Sequence, residues 1–176
     1  MEFKPFTKIP RLSRECVITE KIDGTNGIIG IENDIIYAGS KSRWLSEKQD
    51  NLGFYKWVME NREDLLKLGH GYHYGEFWGQ GIQRNYGLKE KRFSLFNVSR
   101  WSNSEVRPKC CSVVPVLWEG LFETDWINYI LKTLIQDGSK ASPGFMKPEG
   151  IVIFHKPSMY LFKKTIENDE TGKEEK

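Results

Sequence analysis

The stretch CVITEKIDGTNGIIG, residues 16–30, decides the fold, because it runs from a strand into a turn and out again. Cys16–Glu20 is rich in β-branched residues, which favours a strand. Asp23–Gly27 is turn material, and Gly24 within it lets the backbone pass close to a ligand. Lys21 therefore stands at the junction of strand and turn, where a strand can hold its side chain at the edge of a pocket.

The rest of the chain predicts short strands interrupted by helical segments. Apolar residues at helical spacing predict one or two helices in Glu47–Leu68 and another in Glu123–Gln136. No series of alternating strands and helices is present, which favours an α+β fold with antiparallel sheets. The further predicted strands are the hairpin Ile28–Ile31 and Ile35–Ala38, then Tyr72–Trp78, Arg92–Val98, Ser112–Trp118, Ile151–Phe154 and Tyr160–Thr165.

Composition sets the broad class of the protein. The 176 residues are enough for one domain with a core, which we expect at 1–166, followed by a polar tail at 167–176. A net charge of +2 gives no global positive field, so a nucleic-acid partner would need a local basic groove. Three cysteines without metal-ligand spacing, and no apolar run of membrane-spanning length, predict a cytoplasmic protein without a membrane partner.

Lys21 is a candidate nucleophile. An unprotonated lysine amine can attack phosphorus when its surroundings activate it. Taken alone, the sequence KIDG at 21–24 is more often an ordinary ion pair in a surface turn, because short motifs match by chance. The functional interpretation therefore depends on what accompanies this motif along the chain.

Five further segments follow it in a fixed order, namely SKSR at 40–43, YGEFW at 74–78, FSLFNV at 93–98, KPEGIV at 147–152 and FKKT at 162–165. With KIDGTN at 21–26, they resemble the ordered motifs of the covalent nucleotidyltransferases, which comprise ATP-dependent DNA ligases, RNA ligases and mRNA capping enzymes. The extension of KIDG to Asn26 is most similar to the RNA ligase branch. The resemblance spans residues 16–165, nearly the whole chain.

The resemblance implies the nucleotidyltransferase fold of ligase catalytic domains (ATP-grasp-like), with two antiparallel sheets and flanking helices. It also implies an ATP-dependent RNA ligase that uses Mg²⁺ or Mn²⁺, forms a lysyl-AMP and joins 3′-hydroxyl to 5′-phosphate ends. RNA, as a nicked duplex or as free ends, is the expected partner, with DNA as the alternative and with an accessory domain or subunit to grip it. A DNA ligase core, a GTP-dependent capping-type enzyme and a degenerate nucleotide-binding relative remain open.

The resemblance also assigns roles to residues. Glu76 would accept a hydrogen bond from the ribose hydroxyl, because a carboxylate is only an acceptor. Phe96 would stack on adenine, and Glu149 would help to hold the metal through oxygen, the ligand that Mg²⁺ prefers. The implied catalytic set is Lys21, Asp23, Lys163 and Lys164. The implied nucleotide-binding set is Glu20, Asn26, Lys41, Arg43, Glu76, Phe96 and Glu149.

Two points stay open in the sequence. Successive side chains of a strand point to opposite faces, so only one of Lys163 and Lys164 can share a face with a given ligand. The segment WGQGIQRNY at 78–86 is either a loop near the pocket that contacts a strand end through Arg84 and Tyr86, or a plain surface hairpin.

Overall fold

The computed structural model describes residues 1–169, which form two β-sheets with a few helices. The strands are β1 (Glu15–Lys21), β2 (Thr25–Glu32), β3 (Ile35–Gly39), β4 (Gly71–Gly79), β5 (Lys91–Leu95), β6 (Cys111–Val113), β7 (Val116–Leu121), β8 (Gly150–His155) and β9 (Tyr160–Thr165). The helices are α1 (Phe54–Glu60), α2 (Arg62–Leu65) with a 3₁₀ turn (Leu66–Leu68), α3 (Val98–Trp101) and α4 (Thr124–Asp137). The α+β class is confirmed. Of the expected polar tail, 170–176 lies outside the described residues.

The strand pairing corrects one part of the predicted architecture. The four-stranded sheet has the order β7-β1-β8-β9, and all its pairs are antiparallel. The five-stranded sheet has the order β3-β2-β4-β5-β6, and its last pair, β5 with β6, is parallel. The prediction of two purely antiparallel sheets is therefore wrong for this pair. Residues 96–110, which include α3, return the chain to the starting end of β5, as a parallel connection requires.

The predicted single strand Ser112–Trp118 is two strands that belong to different sheets. β6 ends at Val113 and β7 begins at Val116, with Pro115 between them. Proline has no N–H to give to a ladder, so it favours such a break. The backbone at the break forms hydrogen bonds with both sheets. Val114 N–H donates to the Leu95 carbonyl of the five-stranded sheet, and the Pro115 carbonyl accepts from the Glu20 N–H of the four-stranded sheet.

Each sheet buries one face against helices. In the five-stranded sheet, Phe77 and Phe93 pack against Phe54 of α1, with ring centroids 5.0 and 5.3 Å from it. In the four-stranded sheet, Ile18 lies in a cluster with Ile127, one of the apolar residues of α4. Because side chains alternate, the opposite faces of the two sheets carry Lys21 and Glu76. No helix within residues 1–169 is long and apolar enough to span a bilayer.

Candidate active site

Lys21 ends β1 and lies against Glu149. Its Nζ donates to Glu149 Oε2 at 2.7 Å, and the Glu149 side chain is only 7% exposed. Register explains the encounter, because Lys21 is paired with Gly150, the residue after Glu149, in the β1–β8 ladder. Two segments 128 residues apart in the chain thus meet through one antiparallel pair. The result is a buried carboxylate beside the candidate nucleophile.

Glu76 is a second buried carboxylate of the site. Its Oε1 accepts a hydrogen bond from Gly24 N–H at 3.0 Å, and its Oε2 accepts from Asn26 Nδ2 at 3.3 Å. Burial raises the pKa of Glu76 to about 7, and the carboxylates of Glu149 and Asp23 add to this rise. The Lys21 ammonium and the Gly24 hydrogen bond lower this pKa. At neutral pH the Glu76 side chain is therefore protonated in part of the molecules and ionised in the rest.

The turn between β1 and β2 is held from three sides. A Cβ on Gly24 would collide with the carbonyl oxygen of Phe77 and would lie 2.8 Å from Trp78 Cβ, so only glycine fits. The backbone N–H of Asp23 donates to Tyr86 Oη at 2.8 Å. Arg84 donates from Nε to Asp23 Oδ2 at 3.1 Å.

The loop at 78–86 therefore belongs to the site. Tyr86 is 1% exposed and supports the turn, so its ring is not available to stack on a base. Burial raises the pKa of Tyr86 well above its ordinary value, which keeps the phenol protonated. Arg84 joins three segments, because besides Asp23 it donates to the Lys147 carbonyl at 3.3 Å and to Glu167 at 3.5 Å. The plain surface hairpin is ruled out, since both side chains hold Asp23.

Glu20 faces away from Lys21 and is bound by the protein. Its Oε1 accepts from Ser139 Oγ at 2.6 Å, and its Oε2 accepts from the backbone N–H groups of Lys140 at 2.7 Å and Ala141 at 2.9 Å. The side chain is 1% exposed. Glu20 thus anchors the loop that follows α4, and its role in nucleotide binding stays a prediction.

The register of β9 separates the two neighbouring lysines. Lys163 pairs with Val152, which pairs with Thr19, so Lys163 lies on the face of Lys21. Lys164 lies on the opposite face, where its Nζ donates to Asp169 at 3.4 Å. Of the two, only Lys163 shares the face of the candidate nucleophile.

The remaining residues that were predicted to bind the nucleotide lie in two different places. Phe96 follows β5, is 41% exposed, and lies on the face of Glu76, because Ser94, two residues earlier, is the cross-strand partner of Glu76. Lys41 and Arg43 lie in the exposed loop after β3. No hydrogen bond or ion pair within the described part of the chain ties either cation to the two buried carboxylates. The structure therefore brings Phe96 to the face of Glu76, and the roles of Lys41 and Arg43 stay predictions.

The RNA ligase family model matches residues 14–167. The chain belongs to the RNA ligase family. No curated protein matches its sequence at a significant level. The solved structures that resemble it include a ligand-free mutant of Naegleria gruberi RNA ligase, with a TM-score of 0.68 and 23% identity over 87% of this chain and 50% of that one.

Two further structures of the Naegleria RNA ligase carry a nucleotide. A lysine-to-methionine mutant with AMP and Mn has a TM-score of 0.68 and 22% identity, covering 88% of this chain and 50% of that one. A lysine-to-alanine mutant with ATP and Mn has a TM-score of 0.67 and 21% identity, covering 87% and 50%. At such identities the likeness shows the fold. This RNA ligase family chain spans about half the length of these relatives.

The donor set of this RNA ligase family chain suits a metal that nucleotide phosphates help to hold. Within residues 1–169 there is no group of three or more His, Cys, Asp or Glu side chains that could hold an ion unaided. Glu149 and Glu76 nevertheless place two buried carboxylates near Lys21. Mg²⁺ is commonly bound by one or two carboxylates together with substrate phosphates, and Glu149 fits that mode.

Sequence reasoning missed the residues that support the motif from outside it. Ser139 binds Glu20 across 119 residues of sequence, and Asn51 Nδ2 donates to Thr25 Oγ1 at 3.0 Å beside the turn. No local pattern marks either residue. Tyr86 carried a weak signal, as an aromatic in a glycine-rich segment, but the signal suggested a ligand contact rather than a buried support.

Proposed function

We propose that residues 1–166 form the nucleotidyltransferase domain, with the corresponding fold, of an ATP-dependent RNA ligase that works through a lysyl-AMP at Lys21. The observation that carries the proposal is the 2.7 Å contact of Lys21 with buried Glu149, beside the buried Glu76. Family membership supports RNA as the substrate class. The enzyme would join 3′-hydroxyl and 5′-phosphate ends, as in the repair of nicks or breaks. The free cysteines Cys16, Cys110 and Cys111 suit a reducing cytoplasm.

The first step is attack of Lys21 Nζ on the α-phosphorus of ATP. A nitrogen–phosphorus bond forms, the bond to the bridging oxygen breaks, and pyrophosphate leaves with that electron pair. The ammonium must lose a proton before it can attack. Glu149 accepts a hydrogen bond from this ammonium and so holds Nζ in the site, and the proton that the ammonium loses would pass to solvent.

Two steps on RNA would follow. A 5′-phosphate oxygen attacks the lysyl-AMP phosphorus, which releases Lys21 and leaves AMP on the RNA end. A 3′-hydroxyl then attacks the 5′-phosphate and displaces AMP, so that the phosphodiester bond forms. The surfaces that grip RNA would include an accessory domain or subunit, since the chain matches only 50% of the similar Naegleria chain.

The other residues would bind and orient the nucleotide. Glu76 accepts from a ribose hydroxyl in its carboxylate form, Phe96 stacks on the adenine, and Lys163 neutralises phosphate charge from the face it shares with Lys21. Asp23 keeps the turn in place through Arg84. Fixed groups of this kind need no reorganisation when charge develops at the phosphorus.

ATP and a divalent metal are the proposed cofactors, because the Naegleria RNA ligase structures contain AMP or ATP with Mn. Mg²⁺ or Mn²⁺ would be held by Glu149 together with phosphate oxygens. When bound, such an ion supplies positive charge that stabilises the reacting phosphate. Lys41 and Arg43, exposed in the loop after β3, stay proposed phosphate-binding residues.

Incubation with α-labelled ATP and Mg²⁺ or Mn²⁺ tests the proposal. Label should remain on denatured wild-type protein and should be absent from Lys21→Ala and Lys21→Arg, because neither side chain can form the lysine phosphoramidate. Lys132→Ala, in an exposed position on α4, is the matched control and should label like wild type. Label retained on Lys21→Ala, or none on wild type with either metal, would overturn it. Labelling by GTP rather than ATP would instead favour capping-type chemistry.

A further inference from the structure

The site-side face of the five-stranded sheet carries a row of exposed aromatic side chains outside the nucleotide site. They are Tyr37 of β3, Trp44 of the following loop, and Tyr72 and Tyr74 of β4, exposed by 40%, 49%, 65% and 53% respectively. These four residues are called the aromatic platform here. The other face of the same sheet buries its aromatics, such as Phe77, completely. Exposed rings that lie next to one another on one face of a sheet form a contiguous patch, which is typical of an interaction surface.

The rings of the platform are held in place. Tyr37 and Tyr72 flank Gly30 in the β3-β2-β4 register, so they share its face. Trp44 lies over Gly30 and Gly39, where a Cβ would come within 2.8 and 3.0 Å of its ring. It stacks on Tyr72 at 6.2 Å and 21° and contacts Tyr37 at 5.6 Å. The two glycines leave room for the edge of the indole to approach the backbone of the sheet.

The platform is continuous with the candidate active site. Tyr74 lies two residues before Glu76 on the same face of β4, and its carbonyl accepts from the N–H of Phe96. At about 3.4 Å per residue, Tyr72 is roughly 14 Å from Glu76 along the strand. That is about four stacked nucleotides at 3.4 Å each. A strand with its end at Lys21 can therefore reach the platform.

Positive charge borders the platform on one side. The loop at 40–48 that carries Trp44 has three exposed cations, Lys41, Arg43 and Lys48, and one carboxylate, Glu47. None of the three cations pairs with a carboxylate within residues 1–169. Glu32 lines a hollow of about 260 Å³ together with the platform residues Tyr37, Trp44 and Tyr72. A polyanion on the platform would therefore run along the loop side.

We propose that the aromatic platform binds unpaired bases of the RNA strand that carries the reacting end, with its phosphates along the loop at 40–48. The proposal rests on the proposed function and adds a substrate-binding surface to it. Base stacking on aromatic rings accepts every base, because each base has a π face. Adjacent cations that are not neutralised by the protein suit the phosphates between those bases.

The test is the affinity of a 5′-phosphorylated, fluorescently labelled single-stranded RNA of about ten nucleotides, measured by anisotropy. Tyr72→Ala should weaken binding about tenfold, since loss of one base–aromatic stack commonly has an effect of this size. Tyr72→Phe keeps the ring and should bind like wild type. Tyr129→Ala removes a ring that is 60% exposed on α4, and as the matched control it should also bind like wild type.

A second RNA with the same phosphates but with abasic positions separates stacking from charge. Wild type should bind it about tenfold more weakly than the normal RNA, whereas Tyr72→Ala should distinguish the two RNAs much less. Equal affinity of wild type, Tyr72→Ala and Trp44→Ala for normal RNA would overturn the proposal. Equal affinity of wild type for the normal and the abasic RNA would also overturn it, and would indicate that the platform binds a protein partner instead.

Labelling of Lys21 by ATP, measured on the same preparations, separates this result from the proposed function. If wild type and variants label equally and RNA affinity does not differ, the platform proposal fails while the adenylyl-transfer proposal stands. If wild type does not label but its RNA affinity depends on Tyr72, the proposed function fails and the RNA surface stands. Trp44→Ala removes a ring packed on two glycines, so its labelling also reports whether it folds.

Discussion

Replacement of Glu76 by glutamine should remove a pH-dependent loss of stability from this protein. The folded environment raises the pKa of Glu76 from its ordinary value of 4.5 to about 7, mainly through burial. Between those pH values the folded protein keeps the proton, whereas the unfolded chain has lost it. Rising pH therefore favours unfolding across this window, and the stability that Glu76 contributes is present below pH 4.5 and lost as the pH passes about 7.

The size of the effect follows from the shift. A pKa rise of this extent corresponds to about 3 kcal/mol in the free energy of unfolding. Glu76 is 9% exposed, so little solvent screening reduces it. Glutamine mimics the protonated acid and can still accept from Gly24 N–H. Its amide N–H₂ would face Asn26 Nδ2, which can turn its oxygen to accept, and any cost of that exchange does not vary with pH.

Urea unfolding followed by tryptophan fluorescence measures the difference, from about pH 4 to about pH 8. The unfolding free energy of wild type relative to Glu76→Gln should fall by about 3 kcal/mol as the pH rises. Other groups, such as the buried His73, titrate in both proteins, so their contributions to the difference in unfolding free energy largely cancel. Glu105→Gln changes an exposed glutamate and should run parallel to wild type. A flat or rising difference between wild type and Glu76→Gln would refute the burial argument.

Three further substitutions test the assembly of the site. Lys163→Ala should slow labelling by ATP about a hundredfold, whereas Lys164→Ala should change it less than about twofold; equal effects would contradict the register assignment. Tyr86→Phe removes the hydroxyl that accepts from the partly buried Asp23 N–H and should lower the unfolding free energy in urea by about 1 kcal/mol. Unchanged stability would count against the hydrogen bond. Glu20→Gln weakens the anchor of the loop after α4 and should lower the unfolding free energy in urea by a similar amount. Weaker ATP binding at unchanged stability would instead indicate that Glu20 binds the nucleotide.

Most of the local structure could be predicted from the sequence. The strand at Cys16–Glu20, the hairpin after it and the helix at Glu123–Gln136 are confirmed to within a few residues. In these segments the hydrophobic period and the turn residues agree with the final fold. The prediction of a single strand at residues 112–118 was wrong, because an apolar run does not show which sheet each half of it joins. That choice depended on bonds to Leu95 and Glu20, far away in the chain.

By itself, the sequence determined the order of the motifs and the kinds of side chain available for chemistry, because local patterns and spacing are written along the chain. Tertiary structure alone decided which of them meet. It placed Glu149 on Lys21 through one strand pair, turned Lys163 toward that face and Lys164 away from it, and assigned Glu20 to a distant loop. The physical reason is that register and burial arise from contacts between segments more than 100 residues apart, which no local pattern encodes.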